Sequence, residues 1–354
     1  MRHRLRAAFL GALAVVIVVV SFSSSTVAGQ APSGGTKASP SVAKAYAPPR
    51  TPDGHPDLQG VWGNNDATPL ERPKELEGRQ FLTEAEVAAL KRRAAELFNG
   101  ETDAAFGDSV FLAVLKDSKG FKSADTQTGN YNHFWIVDRE FDNRTSVVSD
   151  PPDGRIPALT PEAKKRQATD AEYRRLHPAD GPEDLPLSHR CVTFGVPRLG
   201  AGYNSYFQFL QARDYVAIRQ EMIHDVRIIP MDGRPHLASS VKQWHGDPRG
   251  RWDGDTLVVE TTNFSPKSRL QNMSAENLHV IERFTRIGPK TIQWQVTVND
   301  PSTWTKPWTA TVFLRSSPDQ IYEMACHEGN EGLEGALSGH RAVEQAEAAK
   351  KGSK

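Results

Sequence analysis

Apolar and polar residues alternate along the second half of the chain, most clearly in the segment TIQWQVTVN, residues 291–299. Every second residue there is apolar, which is typical of a strand with one solvated face. Similar segments recur from residue 203 onward, separated by Asp-Gly, Gly-Pro and Asp-Pro turns. They read YFQFLQA, YVAIRQEM, VRIIPM, TLVVETTNF, LHVIERFTRI, WTATVFLR and IYEMACH. The pattern predicts a mainly β fold, an antiparallel meander over residues 201–340 that closes into a barrel, with a β-sandwich as the alternative.

The first half of the chain shows a helical pattern only twice. Residues 51–200 are therefore predicted to form an irregular, loop-rich region with two helices that packs on the barrel. Thr83 begins a capping box that is followed by apolar residues at helical spacing. Thr160, followed by proline, begins a second and highly charged helix. Residues 341–354 are rich in alanine and charge, which predicts a short helix or a fraying tail.

Residues 1–29 have the pattern of a signal peptide. Arginines near the start precede an apolar run from Ala7 to Phe22, and small residues at positions 27–29 offer a cleavage site. Residues 30–50 are small, Pro-rich and aperiodic, which predicts a flexible linker. An uncleaved anchor is the alternative, but no other apolar run is long enough for a membrane span. The protein is therefore predicted to be secreted or periplasmic.

Charge and cysteine content restrict the partners and the redox environment. The 354 residues include 43 basic and 43 acidic ones, so the formal net charge is zero. Nucleic acid and anionic membrane surfaces are disfavoured as partners, because a basic surface is what binds them. After export, Cys191 and Cys326 would meet an oxidising compartment, which predicts a disulfide between them. Two buried free thiols are the alternative.

Sorting strand residues by face identifies ionisable groups among apolar neighbours. The groups are His224, Glu260, Glu282 and Glu328. An ionisable side chain on the dry face of a strand loses hydration, and its pKa moves, which is how general acids and bases are tuned. If the four converge inside one barrel, they form a candidate catalytic group. A satisfied core histidine and glutamates paired with nearby arginines are the alternative, and a β-bulge would reverse the facing.

Polar residues on the same strands and at nearby strand ends are candidate ligand contacts. They are Glu221, Arg227, His236, Asn263, Arg283 and His327. Several histidines in this half have acidic neighbours, but no H-E-x-x-H, H-x-H or H-x3-H spacing is present. No cofactor is therefore predicted, and a divalent metal is kept as an alternative. The chain also has no G-x-S-x-G nucleophile elbow and no Gly-rich nucleotide loop.

Three functions fit these patterns. The first is a β-barrel that binds a small, partly apolar ligand in its interior, since a few polar groups in an apolar cavity are typical of a ligand pocket. The second is an acid/base enzyme, a lyase, isomerase or hydrolase acting on an extracellular metabolite, with a histidine and a glutamate transferring protons. The third is a cell-surface interaction module in which the inward polar groups specify the fold.

Several longer segments carry a distinctive combination of residues. They are GHPDLQGVW (54–62), DPPDGRIPALT (150–160), EMIHDVRIIPMDGRPH (221–236), GRWDGDTLVVETTNF (250–264), DPSTWTKPW (300–308) and CHEGN (326–330). This combination resembles a family of exported bacterial proteins of unassigned activity, over roughly residues 51 to 340. The resemblance implies export and a shared fold, but no catalytic residues. Separately, the G-x-W at residues 60–62 is similar to the start of the first strand in lipocalin-like barrels, an analogy of architecture alone.

Overall fold

A computed structural model describes residues 46–98, 108–116 and 139–352. The predicted signal peptide and residues 30–45 of the predicted linker lie outside the described residues. The chain from Tyr46 to Lys354 forms one compact unit. Within the described residues, no helix combines the length and the apolar character needed to cross a membrane.

The described residues form four α-helices and twelve strands. The helices are α1 (Glu84–Leu97), α2 (Asp108–Leu115), α3 (Pro161–Leu176) and α4 (Glu331–Gly352). The strands are β1 (Gly60–Gly63), β2 (Val148–Asp150), β3 (Tyr206–Gln211), β4 (Tyr215–Gln220), β5 (Val226–Pro230), β6 (Asp247–Asp253), β7 (Thr256–Thr262), β8 (Arg269–Leu270), β9 (Met273–Ser274), β10 (His279–Gly288), β11 (Thr291–Asn299) and β12 (Trp308–Ser317). The prediction of a mainly β fold is confirmed.

Ten strands form one antiparallel sheet in the order β5-β4-β3-β1-β12-β11-β10-β7-β6, with β2 paired to β12 outside this path. Most neighbours in the sheet are also consecutive in sequence, as a meander requires. The pair β7 and β10 is separated in the chain by the small β8-β9 hairpin, and β1 and β2 come from the N-terminal half. Strand β1 lies between β3 and β12, with Val61 opposite Gln208 on one side and Ser317 on the other. The N-terminal half therefore completes the sheet and does not only pack on it.

The two edge strands, β5 and β6, approach each other without pairing. A Cβ atom built on Gly250 of β6 would lie 2.8 Å from Cγ2 of Ile229 in β5, so the absence of a side chain at Gly250 permits this contact. No hydrogen-bonded register joins the two strands among the described residues. The sheet is therefore curled, and a closed barrel is not found.

The inner face of the curled sheet holds the main hydrophobic core. The alternation predicted for β11 is confirmed, because Ile292, Trp294, Val296 and Val298 are all at most 1% exposed. Aromatic rings fill the space between strands: Phe284 stacks on Trp294 at a centroid distance of 5.6 Å and meets Phe209 edge-on at 5.2 Å. Such a filled interior stabilises the sheet through apolar burial.

Both predicted helices form, and their first turns have the predicted caps. In α1, the Thr83 hydroxyl accepts from the Glu86 amide and the Glu86 carboxylate accepts from the Thr83 amide. In α3, Thr160 accepts from the Ala163 amide at 3.1 Å, and proline follows at the first helical position. The C-terminal helix α4 starts ten residues earlier than the predicted tail, at Glu331, and buries none of its residues.

Candidate ligand-binding site

The candidate site lies at one end of the sheet. Because all neighbouring strands are antiparallel, β3, β5 and β6 begin at the end where β4 and β7 finish. The turn at residues 221–225 and the irregular segment that leads into β3 therefore lie at this end. We call it the turn end of the sheet.

The sequence-based facing of His224 is wrong, because the segment 215–230 is not one strand. It is two strands joined by a tight turn, in which Ile223 has φ +57° and His224 φ +46°. After the turn the inward positions are Arg227 and Ile229, whereas Val226 and Ile228 are 45% and 54% exposed. His224 lies half-buried in the turn, with Nδ1 3.1 Å from the carbonyl oxygen of Met324.

Glu282 does face the dry interior, as predicted, and has no exposed surface. Two hydrogen bonds join its carboxylate to Arg227, one of them from Nη2 to Oε1 at 3.0 Å. The indole Nε1 of Trp294 also donates to Oε1, at 3.2 Å. The structure thus brings two predicted site residues together, Glu282 and Arg227. They form a buried ion pair that joins β5 to β10 across the core, not a group open to a ligand.

The other two predicted glutamates lie elsewhere. On β10 and β7, Glu282 is opposite Val259 and Glu260 is opposite Ile281, so the two glutamates are on opposite faces of the sheet. Glu260 is 41% exposed and lies 2.8 Å from Nε2 of His279. Glu328 is exposed in the connection between β12 and α4, where the predicted strand IYEMACH does not form. The four predicted acid/base residues therefore do not converge.

Most predicted ligand contacts are occupied by other contacts within the chain. Arg283 donates to Asp253 at 2.8 Å on the outer face of the sheet. His236 lies 3.1 Å from Asp247, and Asn263 donates to the carbonyl of Leu237 at 3.0 Å. His327 is exposed, with its ring centroid 6.5 Å from that of His224. Glu221 differs from them, since the next residue in the chain, Met222, lines a cavity.

A cavity of about 500 Å³ opens at the turn end, outside the main core. Its wall includes Phe194, Arg198, Tyr203, Met222, Ile223 and Met324. These residues come from the segment before β3, the turn after β4 and the segment after β12. The sequence pattern does not predict them, because irregular segments carry no periodic signal. The one available sign was a lone arginine in the Gly- and Pro-rich stretch FGVPRLGAGYN, residues 194–204.

The disulfide between Cys191 and Cys326 is confirmed, with Cα atoms 5.7 Å apart. It joins the segment before β3 to the segment after β12, which are two of the three parts of the cavity wall. The turn at residues 221–225 also contacts the segment after β12, because the Ile223 amide donates to the sulfur of Met324 at 3.3 Å. Asn330 adds a bond from Nδ2 to the carbonyl of His189 at 2.9 Å. The cavity wall is thus cross-linked at several points.

Backbone conformations that side chains rarely adopt occur in the segments that supply this wall, and one of them is at Ile223 in the wall itself. Positive φ angles occur at Cys191 (54°), Asn204 (43°), Ile223 (57°) and His224 (46°). A β-branched residue such as isoleucine pays a steric penalty there, of about 1–3 kcal/mol. Strained backbone of this kind is found most often at binding and catalytic sites, where the surrounding structure maintains it.

Arg198 is the charged group of the cavity. Its Nη2 donates to the Tyr203 carbonyl at 2.6 Å, its Nη1 donates to the Asn204 carbonyl, and its guanidinium lies 4.9 Å from the centroid of the Phe194 ring. The Nε atom is buried and has no hydrogen-bond partner among the described residues. Burial lowers the pKa of Arg198 to about 10, against the opposing effect of Glu221 and Asp225. The side chain is therefore a cation at neutral pH.

The acidic groups near Arg198 do not pair with it. Burial raises the pKa of Glu221 above its ordinary value of 4.5, and its carboxylate accepts a long bond of 3.4 Å from the Tyr206 amide. Asp225 contacts other residues instead: it accepts from the Thr193 hydroxyl at 2.9 Å and lies 3.2 Å from Nε2 of His245. Among the described residues no carboxylate forms a salt bridge with Arg198. The direct contacts of the cation described above are with two backbone carbonyls and the Phe194 ring.

Histidines of the β half form pairs with acids and not metal centres. The pairs are His236 with Asp247, His245 with Asp225, and His279 with Glu260. Within the described part of the chain, no third ligand from this half joins any of them at metal-binding distance. The divalent metal that the sequence left open therefore has no support at this end of the sheet.

Comparisons with known proteins add no family to these observations. No protein-family model, no curated protein and no solved structure matches the chain.

Proposed function

We propose that the protein binds a small, partly apolar molecule that carries an anionic group, and that the ligand occupies the cavity at the turn end of the sheet. The observation that carries the proposal is Arg198, a desolvated cation without a carboxylate partner in a mostly apolar cavity. The binding place differs from the sheet interior favoured by the sequence pattern. Closure of the sheet into a lipocalin-like barrel around a ligand in its interior stays a prediction.

The size and composition of the cavity support this proposal. Small-molecule sites are mostly apolar clefts of roughly 300–1,000 Å³ with a few polar groups that orient the ligand. The cavity here has a volume of about 500 Å³, and Met222, Ile223, Met324 and Phe194 give it apolar walls. Methionine side chains adapt to irregular ligands, because they are unbranched and polarizable.

The charge of Arg198 supports an anionic ligand. A partly buried cation that no carboxylate contacts directly is costly, and a carboxylate that enters the cavity lowers that cost. Guanidinium carries five N–H donors, and backbone carbonyls accept from only Nη1 and Nη2. The remaining donors can form charge-assisted hydrogen bonds, which are about twice as strong as neutral ones.

We also propose that the protein works outside the cytoplasm. The N-terminal pattern of residues 1–29 is the basis, and the disulfide supports it, since disulfides persist in oxidising compartments. An acid/base enzyme is the second candidate function. It is favoured by Glu221, which is next to the cavity-lining residue Met222 and whose pKa is raised by burial, since burial is how general acids and bases are tuned.

The test compares an anionic ligand with a neutral ligand of the same shape. Decanoate and decanol are titrated into the protein by isothermal calorimetry, and decanoate is expected to bind more tightly. Arg198→Met should remove this preference, with a loss of about 10- to 100-fold for decanoate, since hydrogen bonds to charged groups contribute roughly 1.5–3 kcal/mol. Arg219→Met is the matched control, because Arg219 lies on the outer face of β4 and, among the described residues, donates to the Tyr322 carbonyl and not into the cavity.

A second variant covers the case in which Arg198→Met does not fold. Met324→Trp keeps the cation and fills the cavity, so both ligands should bind less tightly. Equal affinities of decanoate and decanol for the wild type would refute the anionic ligand. Unchanged binding in Met324→Trp would refute the location. The acid/base function has its own test. Glu221→Gln should bind a ligand but leave it unconverted, and the wild type should convert the same ligand when it is added.

A further inference from the structure

A second group of ionisable side chains lies where the C-terminal helix α4 meets the segment after α3. His340 and Glu344 are on α4, and Asp180 follows the end of α3. Nε2 of His340 lies 3.4 Å from Oδ1 of Asp180 and 3.4 Å from Oε1 of Glu344. One ligand atom from each of the three lies within 4.8 Å of the other two. None of these residues belongs to the cavity wall.

The spacing on α4 is the spacing that metal sites use on helices. His340 and Glu344 are four residues apart, so their side chains lie one above the other on the same helix face. A histidine and a second ligand one turn later are the arrangement of helical zinc sites. The third ligand, Asp180, comes from the segment after α3. An ion bound by all three residues would therefore join that segment to α4.

Two of the three distances in the cluster match those between metal ligands, and the third, between the two carboxylate oxygens, is at most 4.8 Å. Charge-assisted hydrogen bonds are typically about 2.7–2.9 Å long, whereas the two contacts of His340 are 3.4 Å. Zinc binds nitrogen and oxygen at roughly 2.0–2.2 Å, so two ligands of a tetrahedral ion lie about 3.3–3.5 Å apart. The carboxylates are 46% and 48% exposed, and can rotate to complete the geometry.

The second oxygen of each carboxylate is already held by another side chain. Asp180 Oδ2 lies 2.6 Å from Nδ1 of His177. Arg341 contacts both oxygens of Glu344: its Nε lies 2.8 Å from Oε2, and its Nη2 donates to Oε1 at 3.2 Å. Asp180 therefore presents Oδ1 to an ion, and Glu344 Oε1 has its second lone pair for an ion, since a carboxylate oxygen carries two. Partners of this kind orient metal ligands and are needed for full affinity. His177 and Arg341 would act here as positioning residues.

A metal would also explain how α4 is fixed in place. The helix buries none of its residues, so apolar packing contributes little to its position. Its described contacts with the segment after α3 are polar, among them bonds from Arg341 to the carbonyls of Ala179 and Asp180 at 3.1 and 2.9 Å. Exposed polar contacts contribute little to stability individually.

We propose that Asp180, His340 and Glu344 form a zinc site that fastens α4 to the segment after α3. One imidazole and two carboxylates with an open fourth position for water suit a divalent first-row ion, and zinc ranks high among these for such donors. The site is independent of the proposed ligand cavity.

The test uses the full chain freed of metal with a chelator. Zinc is titrated by calorimetry and counted by elemental analysis, and one ion per chain is expected. His340→Ala and the isosteric Glu344→Gln should each lower zinc affinity at least about tenfold, because loss of even a supporting residue costs 10- to 100-fold. His279→Ala is the control, since His279 also pairs with a half-exposed glutamate but has no third ligand. Its affinity should equal that of the wild type.

Hydrogen exchange tests the fastening separately. Zinc should slow amide exchange in residues 331–352 several-fold in the wild type and leave it unchanged in His340→Ala. The absence of saturable zinc binding, or equal affinity in the wild type and both ligand variants, would overturn the site. Zinc binding without any change in exchange over α4 would overturn its fastening role.

Discussion

Replacing Glu282 by leucine is expected to destabilise the protein strongly, because Glu282 is half of a buried ion pair. The glutamate has no exposed surface, and its partner Arg227 is 7% exposed. After the replacement the guanidinium stays in the core without its countercharge. The indole N–H of Trp294 also loses its acceptor.

The magnitude follows from these two losses. Removing one partner of a buried ion pair costs about 3–5 kcal/mol, and a buried donor left without a partner costs about 1–3 kcal/mol. The two do not add fully, because both act through the same carboxylate. We therefore expect Glu282→Leu to lower the free energy of unfolding by at least about 3 kcal/mol. The double variant Glu282→Leu/Arg227→Met should recover most of this loss, since it removes both charges from the core.

Urea unfolding followed by tryptophan fluorescence measures these differences, with the midpoint and slope fitted for each variant. Glu260→Leu is the matched control: it removes a half-exposed carboxylate that pairs with His279 on the outer face, and should change stability by less than about 1 kcal/mol. A loss below about 1 kcal/mol in Glu282→Leu would refute the assignment of a stabilising ion pair. So would a double variant less stable than Glu282→Leu.

Three further predictions concern the disulfide, a glycine and a surface ion pair. Reducing the disulfide should lower the free energy of unfolding by up to about 5 kcal/mol, because the disulfide restricts the unfolded chain over a sequence separation of 135. Urea titrations with and without reductant measure this difference. Gly246→Ala should cost more than about 2 kcal/mol, because its φ is +69° and its new Cβ would lie 2.6 Å from two atoms of the neighbouring strand. Gly254→Ala, with φ +57° and open space, should cost only about 1 kcal/mol in the same assay, and equal losses would contradict the steric argument. Finally, the hydrogen bond from Arg283 holds the pKa of Asp253 below its ordinary value of 3.8. Arg283→Gln should therefore lower the melting temperature at neutral pH. The difference in melting temperature between variant and wild type should vanish as the pH falls through the lowered pKa of Asp253. A difference that persists in acid would contradict this reasoning.

The sequence by itself determined most of the long strands, the two capped helices and the disulfide, whereas the predicted strand IYEMACH does not form. Alternation along residues 291–299 predicted which side of β11 is buried, because the side-chain period of a strand is a local property of the backbone. The cap at Thr83 was predictable for the same reason, since its partners lie within one turn. The two cysteines had no competing partner, so their pairing followed once export was predicted.

Only the tertiary structure decided how the strands curl and which ionisable groups meet. The position of His224 depended on a two-strand turn in which Ile223 adopts a positive φ, and no residue pattern indicates that turn. Arg198 came to the cavity wall through an irregular segment held by the disulfide. The pairing of Glu282 with Arg227 needed the sheet to bring β5 across from β10. These contacts join residues far apart in the chain, and such contacts form through packing and loop closure, which sequence periodicity does not encode.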